Sequence, residues 1–141
     1  MKLFANAIIV VPIDFSEEAD QALATAIGIA ATPEQIRAVH VAPLISVFEP
    51  GVVYAASDDL RRENLLQVIL HRYADPQFKS VGFEVLFGDP GHEIVDFAKH
   101  IDAGLIVMPS HGRTGRERIL LGSVAERVIR LANCPVLVMR H

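Results

Sequence analysis

The chain has 141 residues, of which 51% are hydrophobic and 21% charged, and this length and composition are typical of one soluble globular domain. Its net charge of −4 argues against general binding to nucleic acids or anionic membranes, and its longest apolar run is far shorter than the roughly 20 residues that span a bilayer. With a single cysteine and no signal-peptide pattern, we expect a cytoplasmic protein without an internal disulfide and without membrane or nucleic-acid partners.

The first part of the chain alternates between strand and helix signals. Residues 6–13 form a continuous apolar run rich in Ile and Val, which predicts a strand buried on both faces. Ser16 is a favourable N-cap, and the acidic residues after it suit the first turn of a helix predicted over about 17–31. Pro33 ends that helix, and Ile36–Ala42 is predicted as the second strand.

The middle of the chain contains a long connection, a helix and a third strand. Residues 43–57 hold two prolines and a glycine without sustained periodicity, which predicts a loop of a length that is often functional. Ser57 is expected to open a helix that Pro76 stops. Residues 80–88 alternate in polarity and are predicted as the third strand.

The last part of the chain repeats the alternation. Apolar residues at helical spacing after Gly91 predict a third helix, with Gly104 as its terminator. The apolar run Leu105–Pro109 predicts a fourth strand. A polar, glycine-punctuated loop then leads to a fourth helix from Ser123 and a fifth strand over about 135–140.

Strict alternation of strands and helices predicts the fold class. It implies one α/β domain, residues 1–141, with a doubly wound parallel sheet of five strands and helices on both faces. Ligands of such sheets bind outside the carboxyl ends of the strands, where the strand order reverses. The loops that begin at Asp14 and Ser110 are therefore the first candidates for a site.

Several common site motifs are absent. The sequence contains neither the P-loop pattern, nor a GxGxxG fingerprint, nor a GxSxG nucleophile elbow. The six histidines never stand at HxxH or HxxxH spacing, so we expect no structural metal site. Cys134, directly before a proline and an apolar strand, is interpreted as a small buried hydrophobe rather than a nucleophile.

The loop after the fourth strand has features of a phosphate site. Gly112 and Gly122 are separated by nine residues, and Ser123 opens the fourth helix, whose N-terminal N–H groups suit an anion. Five arginines and two glutamates between residues 110 and 130 give this segment a local charge of +3. Two alternatives remain open: glycines that only permit turns before a serine cap, and a charged helix face that is only solvated.

Three segments of the chain are distinctive: "VVPIDFSEEADQALATAIGIA", "AVHVAP" and the long segment from "GDPGHEIVDFAKH" to "CPVLVMR". Through them the whole chain shows a resemblance to the universal stress protein family. It implies the strand order 3-2-1-4-5 and a Gly-x2-Gly-x9-Gly-Ser/Thr signature that marks the ATP-binding members. Gly112, Gly122 and Ser123 match this signature, whereas Pro109 replaces its first glycine. Because proline lacks an N–H, we expect Pro109 to alter the close approach of ribose or phosphate.

The resemblance also implies roles for individual residues. Asp14 and the backbone of Val41 would face the base or ribose, with Met108 beneath them, although without a ligand the same residues would serve as a helix cap and as core. The loop after the fourth strand would hold the phosphates. The predicted nucleotide-binding residues are Pro12, Ile13, Asp14, Val41, Met108, Ser110, His111, Gly112, Arg113, Gly122, Ser123 and Val124.

Together these features predict an adenine-nucleotide-binding regulatory protein of the stress response that takes ATP, with or without Mg²⁺. His111 is the single titratable candidate near the phosphates, so any hydrolysis is expected to be slow and we predict a binding protein. One alternative is a module of the same fold that binds no nucleotide, with Pro109 marking the lost site. A second alternative is a phosphotransfer enzyme that uses His111.

The final strand predicts a homodimer. Residues 135–139 are apolar, and the implied topology puts them at one edge of the sheet, where unpaired N–H and C=O groups favour association. A two-fold partner that pairs along this edge would bury both copies, which is also the dimer that the resemblance implies. We therefore expect lysine at Val136 or Val138, whichever faces the partner, to give monomer or aggregate.

Overall fold

Five strands and four helices alternate within residues 3–44, 58–112 and 121–140, which are the residues that the computed structural model describes. The strands are β1 (Ile9–Pro12), β2 (Ile36–Ala42), β3 (Gly82–Phe87), β4 (Leu105–Pro109) and β5 (Val136–Met139). The helices are α1 (Glu17–Ile29), α2 (Asp58–Arg72), α3 (Pro90–His100) and α4 (Ser123–Leu131). Short 3-10 turns, Pro33–Gln35 and Pro76–Phe78, precede β2 and β3.

The strands form one parallel sheet in the order β3-β2-β1-β4-β5, which confirms the predicted fold class and strand order. The sheet is covered on both faces, because alternate residues of its central strand are buried in opposite directions. Ile9 and Val11 pack in a core with α1 and α2, and Val10 packs in a second core with α3 and α4. All three side chains are fully buried. This three-layer arrangement explains the continuous apolar run at β1.

Several boundaries differ from the sequence-based expectation. β1 begins at Ile9 rather than residue 6, because the preceding residues turn and Ala7 donates its N–H to the carbonyl of Phe4 at 3.2 Å. α3 begins at Pro90, before Gly91, because Asp89 caps it by accepting the N–H of His92 at 3.1 Å. Proline lacks an N–H and so suits the first helical position.

The expectation that Gly104 terminates α3 is wrong. The helix ends at His100, and the residue in the left-handed conformation after it is Asp102, with φ of 55°. Gly104 is small for a different reason, because a Cβ there would lie 2.8 Å from the Cβ of Ala7. The predicted N-cap Ser57 and residues 45–57 of the long connection lie outside the described residues.

In the described part of the chain, no helix is both long enough and apolar enough to cross a membrane.

A buried tyrosine joins α1 to the end of α2. The Tyr73 hydroxyl donates to Oδ1 of Asp20 at 2.5 Å, and Nη2 of Arg72 donates to Oδ2 of the same carboxylate at 2.7 Å. Tyr73 is 5% exposed. Burial, followed by the contact with Asp20, raises the pKa of the Tyr73 phenol well above its usual value. The neutral phenol is therefore favoured in the folded state.

We expect Tyr73 to make stability depend on alkaline pH. Because its folded pKa lies above the unfolded value of about 10, its contribution is present below pH ~10 and is lost as pH rises toward the folded pKa. Tyr73→Phe should lower the free energy of unfolding by about 1 kcal/mol at pH 7 and should flatten this alkaline decline. Urea unfolding of both proteins from pH 7 to 11 measures the difference, and parallel pH profiles would contradict the assignment.

Candidate functional site

A cavity lies at the carboxyl ends of β1 and β4, in the middle of the sheet. These strands pair only through Ile9↔Leu105 and Val10↔Ile106, although both continue beyond these pairs. The chain leaves β1 toward α1 on one face and leaves β4 toward α4 on the other, which makes this the switch point of the sheet. The cavity has a volume of about 440 Å³, within the usual range for small-molecule sites.

The cavity has apolar walls and a polar rim. The walls come from β2, β4 and the first turns of α3 and α4, and the rim comes from the two loops that follow β1 and β4. The lining residues are Pro12, Ile13, Asp14, Val39, Val41, Pro90, Ile94, Met108, Pro109, Ser110, Gly112, Gly122, Ser123, Val124 and Ala125. A planar apolar group with a charged end would match this distribution.

Asp14 lies in the loop after β1 and approaches the loop after β4. Its Oδ1 accepts hydrogen bonds from the backbone N–H of Ser16 at 3.1 Å and from the hydroxyl of Ser16 at 2.5 Å. The cap of α1 is Ser16, which accepts the N–H of Ala19 at 3.1 Å, so Asp14 orients the cap rather than forming it. A Cβ at position 112 would lie 2.6 Å from Oδ2 of Asp14. A side chain at position 112 would therefore displace the Asp14 carboxylate.

Phe15 turns the chain sharply after Asp14. Its φ is 66°, a left-handed conformation that is strained for a bulky residue and that often marks functional sites. The Phe15 ring packs against the His40 ring with centroids 4.7 Å apart, and His40 Nδ1 lies 2.9 Å from the carbonyl oxygen of Ile13. These contacts hold the strained turn at the edge of the cavity.

The end of β2 presents the backbone N–H and C=O of Val41 to the cavity, and we call this pair of groups the peptide edge of Val41. β1 pairs with β2 only as far as Pro12↔Val39, where the N–H of Ile13 donates to the carbonyl of Val39 at 2.8 Å. Because N–H and C=O directions alternate along a strand, both groups of Val41 point the same way as those of Val39, into the space beyond β1. Val41 therefore offers one donor and one acceptor side by side.

The N-terminus of α4 forms the opposite end of the cavity. Its N-cap, Gly122, supplies no side-chain hydrogen bond, in contrast to Ser16 of α1 and Asp89 of α3. Gly122 donates its own N–H to the carbonyl of Ser110 at 2.7 Å. This hydrogen bond joins the two ends of the loop after β4, and we call this point, Ser110 with Gly122, the neck of the loop. Within the described part of the chain, the next three N–H groups, of residues 123–125, have no recorded acceptor and suit an anion, which would also meet the positive end of the helix dipole.

Ser110 supplies a buried hydroxyl beside this helix end. The residue is 6% exposed and lines the cavity. Its N–H donates to the carbonyl of Met139 at 2.7 Å, and its carbonyl accepts from Gly122. Among the described residues the structure records no hydrogen-bond partner for its hydroxyl. A buried hydroxyl in that position is suited to donate to a ligand.

An ion pair between α3 and α4 positions the helix end. Nη1 of Arg127 donates to Oδ2 of Asp89 at 2.9 Å, and a Cβ at Gly91 would lie 2.7 Å from Cδ of Arg127. The N–H of His92, followed by the Arg127 guanidinium, holds the pKa of the Asp89 carboxyl below its usual value. The close approach at Gly91 keeps the first turn of α4 next to Pro90, across the cavity.

Ten of the twelve residues predicted from the sequence line this cavity, and His111 is not among its described lining residues. His111 stands behind the neck of the loop, with Nδ1 3.5 Å from the position that a Gly122 Cβ would take. Arg113 lies outside the described residues. His111 therefore stands next to the start of α4 without being among the described lining residues, and its role near the phosphates stays a prediction.

Sequence analysis missed five of the lining residues. Val39 could have been found, because it stands two positions before Val41 and faces the same side of the strand. Ala125 could likewise have been included as part of the first turn of α4. Pro90 and Ile94 come from α3, which sequence analysis did not connect to either loop. Pro109 was predicted to alter the approach of ribose or phosphate, and it was not predicted to form part of the cavity wall.

These observations define a doubly wound α/β protein with a ligand cavity at the switch point of its sheet. Residues 6–140 match the model of the universal stress protein family, and the chain belongs to that family, which confirms the resemblance. It is 41% identical to universal stress protein MJ0531 of Methanocaldococcus jannaschii over 137 residues, covering 94% of this chain and 81% of that protein.

Solved structures of the family have the same fold. Universal stress protein UspA from Lactobacillus plantarum is 25% identical with a TM-score of 0.72, covering 96% of this chain and 99% of that chain. A universal stress protein in complex with cAMP is 22% identical with a TM-score of 0.66, covering 94% of this chain and 95% of that chain. At 22% identity, this second likeness concerns the fold.

Proposed function

We propose that this protein binds an adenine nucleotide, ATP by preference, in the cavity between β1 and β4. The observation that carries the proposal is the pairing of two features at opposite ends of one apolar cavity. One end holds the three uncapped N–H groups of α4 beside Ser110, and the other holds the donor and acceptor of Val41. A nucleotide has complementary groups at its two ends.

The base end favours adenine. The Watson–Crick edge of adenine presents an acceptor at N1 beside a donor at N6, which complements the N–H and C=O of one peptide edge at Val41. Guanine presents its acceptor at O6 and its donor at N1, the reverse order. The side chains of Val39, Ile94 and Met108 line the cavity and supply apolar contact for the faces of the ring. The solved cAMP complex supports the choice, because another protein of this fold accommodates an adenine nucleotide.

The phosphate end favours a binding role over catalysis. Backbone N–H groups and a serine hydroxyl stabilise phosphate charge without supplying a base. Asp14 is the one titratable side chain in the described lining, and its Oδ1 already accepts two hydrogen bonds from Ser16. Asp14, Ser110 and Ser123 offer oxygen ligands of the kind that Mg²⁺ takes, so Mg²⁺ bound with the phosphates fits this donor set.

We further propose a regulatory role in the stress response, a cytoplasmic location and a homodimer formed through β5. The outward N–H and C=O groups of β5 belong to Val136 and Val138, because Pro135 and Met139 accept hydrogen bonds from β4. Leu137, between them, is 39% exposed. The opposite edge is partly blocked, since Nε of Arg62 donates to the outward carbonyl of Val85 in β3 at 3.3 Å. Edge protection of this kind disfavours pairing through β3 and favours β5.

Calorimetric titration tests the nucleotide proposal. With Mg²⁺ present, ATP should bind at least about tenfold more tightly than GTP. The donor and acceptor of guanine do not match the N–H and C=O of Val41, and this mismatch should cost roughly 1.4 kcal/mol or more of binding free energy. Adenosine should bind more weakly than ATP, since it lacks the phosphates. If none of these ligands gives heat or raises the melting temperature, the module that binds no nucleotide is the better description. Steady phosphate release on mixing with ATP would instead favour the enzyme.

Ser110 should contribute to phosphate binding. We expect Ser110→Ala to raise the Kd of ATP about 5- to 10-fold, the loss of one hydrogen bond to a charged group, and to leave the Kd of adenosine unchanged. Ser80→Ala is the matched control, because Ser80 is exposed. An equal loss of affinity for ATP and adenosine would show that Ser110 acts on the fold rather than on the phosphates.

A further inference from the structure

Prolines stand at the two positions where pairing between β1 and β4 would continue. The ladder between these strands ends at Val10↔Ile106. Two residues further along β1 stands Pro12, and three residues further along β4 stands Pro109. Both prolines line the cavity that opens between the strands. The ladder therefore ends where backbone donors are missing.

The direction of the missing N–H groups follows from the neighbouring hydrogen bonds. Ile13 donates its N–H to Val39 of β2, so the position before it, Pro12, is turned toward β4. On β4, the N–H of Ile106 donates to Pro135 and that of Ser110 donates to Met139, both on the side of β5. Pro109 is therefore turned toward β1.

The two prolines thus remove the two N–H groups that would form the next rungs between β1 and β4. An N–H at position 12 would donate to the carbonyl of Val107, and one at position 109 would donate to the carbonyl of Pro12. At either position a residue with an N–H would need water or a ligand as its acceptor in the open form, at a cost in free energy that pairing of the strands avoids. With proline the open form carries no such cost.

We propose that Pro12 and Pro109 keep the ligand cavity open by preventing β1 from pairing with β4 along its floor. Pro109 is then a positioning residue of the site, and its presence in place of the first glycine of the family signature does not mark a lost site. The part of this inference that concerns ligand affinity rests on the proposed function. The part that concerns strand pairing does not.

Pro109→Ala tests the inference directly, because it restores an N–H whose own hydrogen exchange reports the pairing. In the ligand-free variant we expect the new amide at position 109, followed by nitrogen-15 NMR, to exchange about tenfold more slowly than an unprotected amide. The Kd of ATP with Mg²⁺ should rise by about the same factor, because both quantities report the fraction of molecules with an open cavity.

Pro76→Ala is the matched control, since Pro76 is exposed and begins a 3-10 turn outside the cavity. Its new amide should exchange freely, and its ATP affinity should equal that of the unmodified protein. Free exchange of the amide at position 109 in a folded Pro109→Ala variant would overturn the inference, and so would protection without any loss of affinity. If Pro109→Ala does not fold, Pro12→Ala tests the neighbouring rung in the same way. If the unmodified protein binds no nucleotide, the proposed function fails, while amide protection still decides the pairing.

Discussion

Gly122→Val should weaken ATP binding by about 100-fold or more, because it opens the neck of the loop that holds the phosphates. A Cβ at Gly122 would lie 3.0 Å from the carbonyl oxygen of Ser110 and 3.4 Å from Cα of His111. The branched side chain of valine would therefore push Ser110 away from the start of α4 and weaken the 2.7 Å hydrogen bond that joins them. Displacing two charged hydrogen bonds of about 1.5–3 kcal/mol each accounts for this factor.

The reason for the expected loss at Gly122 differs from the one that the glycine spacing suggests, which is close approach of a phosphate to the backbone. The backbone of Gly122 has φ of −66° and ψ of 159°, which any residue adopts, so left-handed freedom is not required. The side chain would meet the neck of the loop behind the phosphate site rather than the phosphate itself. Gly122→Ala, with a smaller group against the same 3.0 Å contact, should give an intermediate loss.

Two controls make this result specific. Gly28 of α1 is exposed and has no atom within 4 Å of its Cβ position, so Gly28→Val measures the general effect of this exchange in a helix. Adenosine titrated into Gly122→Val should retain its affinity within a few-fold, because the peptide edge of Val41 is on another strand. A folded Gly122→Val protein that binds ATP with the original affinity would contradict the role given to the neck.

The second large effect concerns assembly: Val138→Lys should convert the proposed homodimer into monomer. Its N–H and C=O point outward from β5, so a partner strand would pair there and bring its side chains against position 138. Two lysines near the two-fold axis would repel each other and lose hydration, which disfavours the dimer. Light scattering at micromolar concentration measures the mass of both proteins.

Val138 is a better position for this test than Val136. Val136 packs against the core between the sheet and the helices α3 and α4, so a lysine there would also disturb the fold, whereas Val138 is half-buried at the edge. Val68→Lys is the matched control, because Val68 is 54% exposed on α2, away from β5. A monomeric mass for the unmodified protein would refute the dimer, and an unchanged dimer in Val138→Lys would exclude this edge.

Local signals in the sequence determined the elements and their order. The apolar run at β1, the cap at Ser16 and the acidic first turn of α1 each act within a few residues, so they are legible without knowledge of the rest of the chain. Alternation of strands and helices then left a parallel, doubly wound sheet as the expected fold. The two loops at its switch point followed from that topology, and with them most of the cavity residues, among them Asp14 and Gly122.

Tertiary structure decided which groups face one another. Pro90 and Ile94 became a wall of the cavity through the contact between Gly91 and Arg127, which joins two helices distant in the chain. Because of the register between β1 and β4, the backbone positions of Pro12 and Pro109 both face the gap between these strands, and neither residue offers an N–H there. Register and helix contacts arise from the fit of side chains that are far apart in sequence, and a periodic pattern records only which face of its own element a residue occupies.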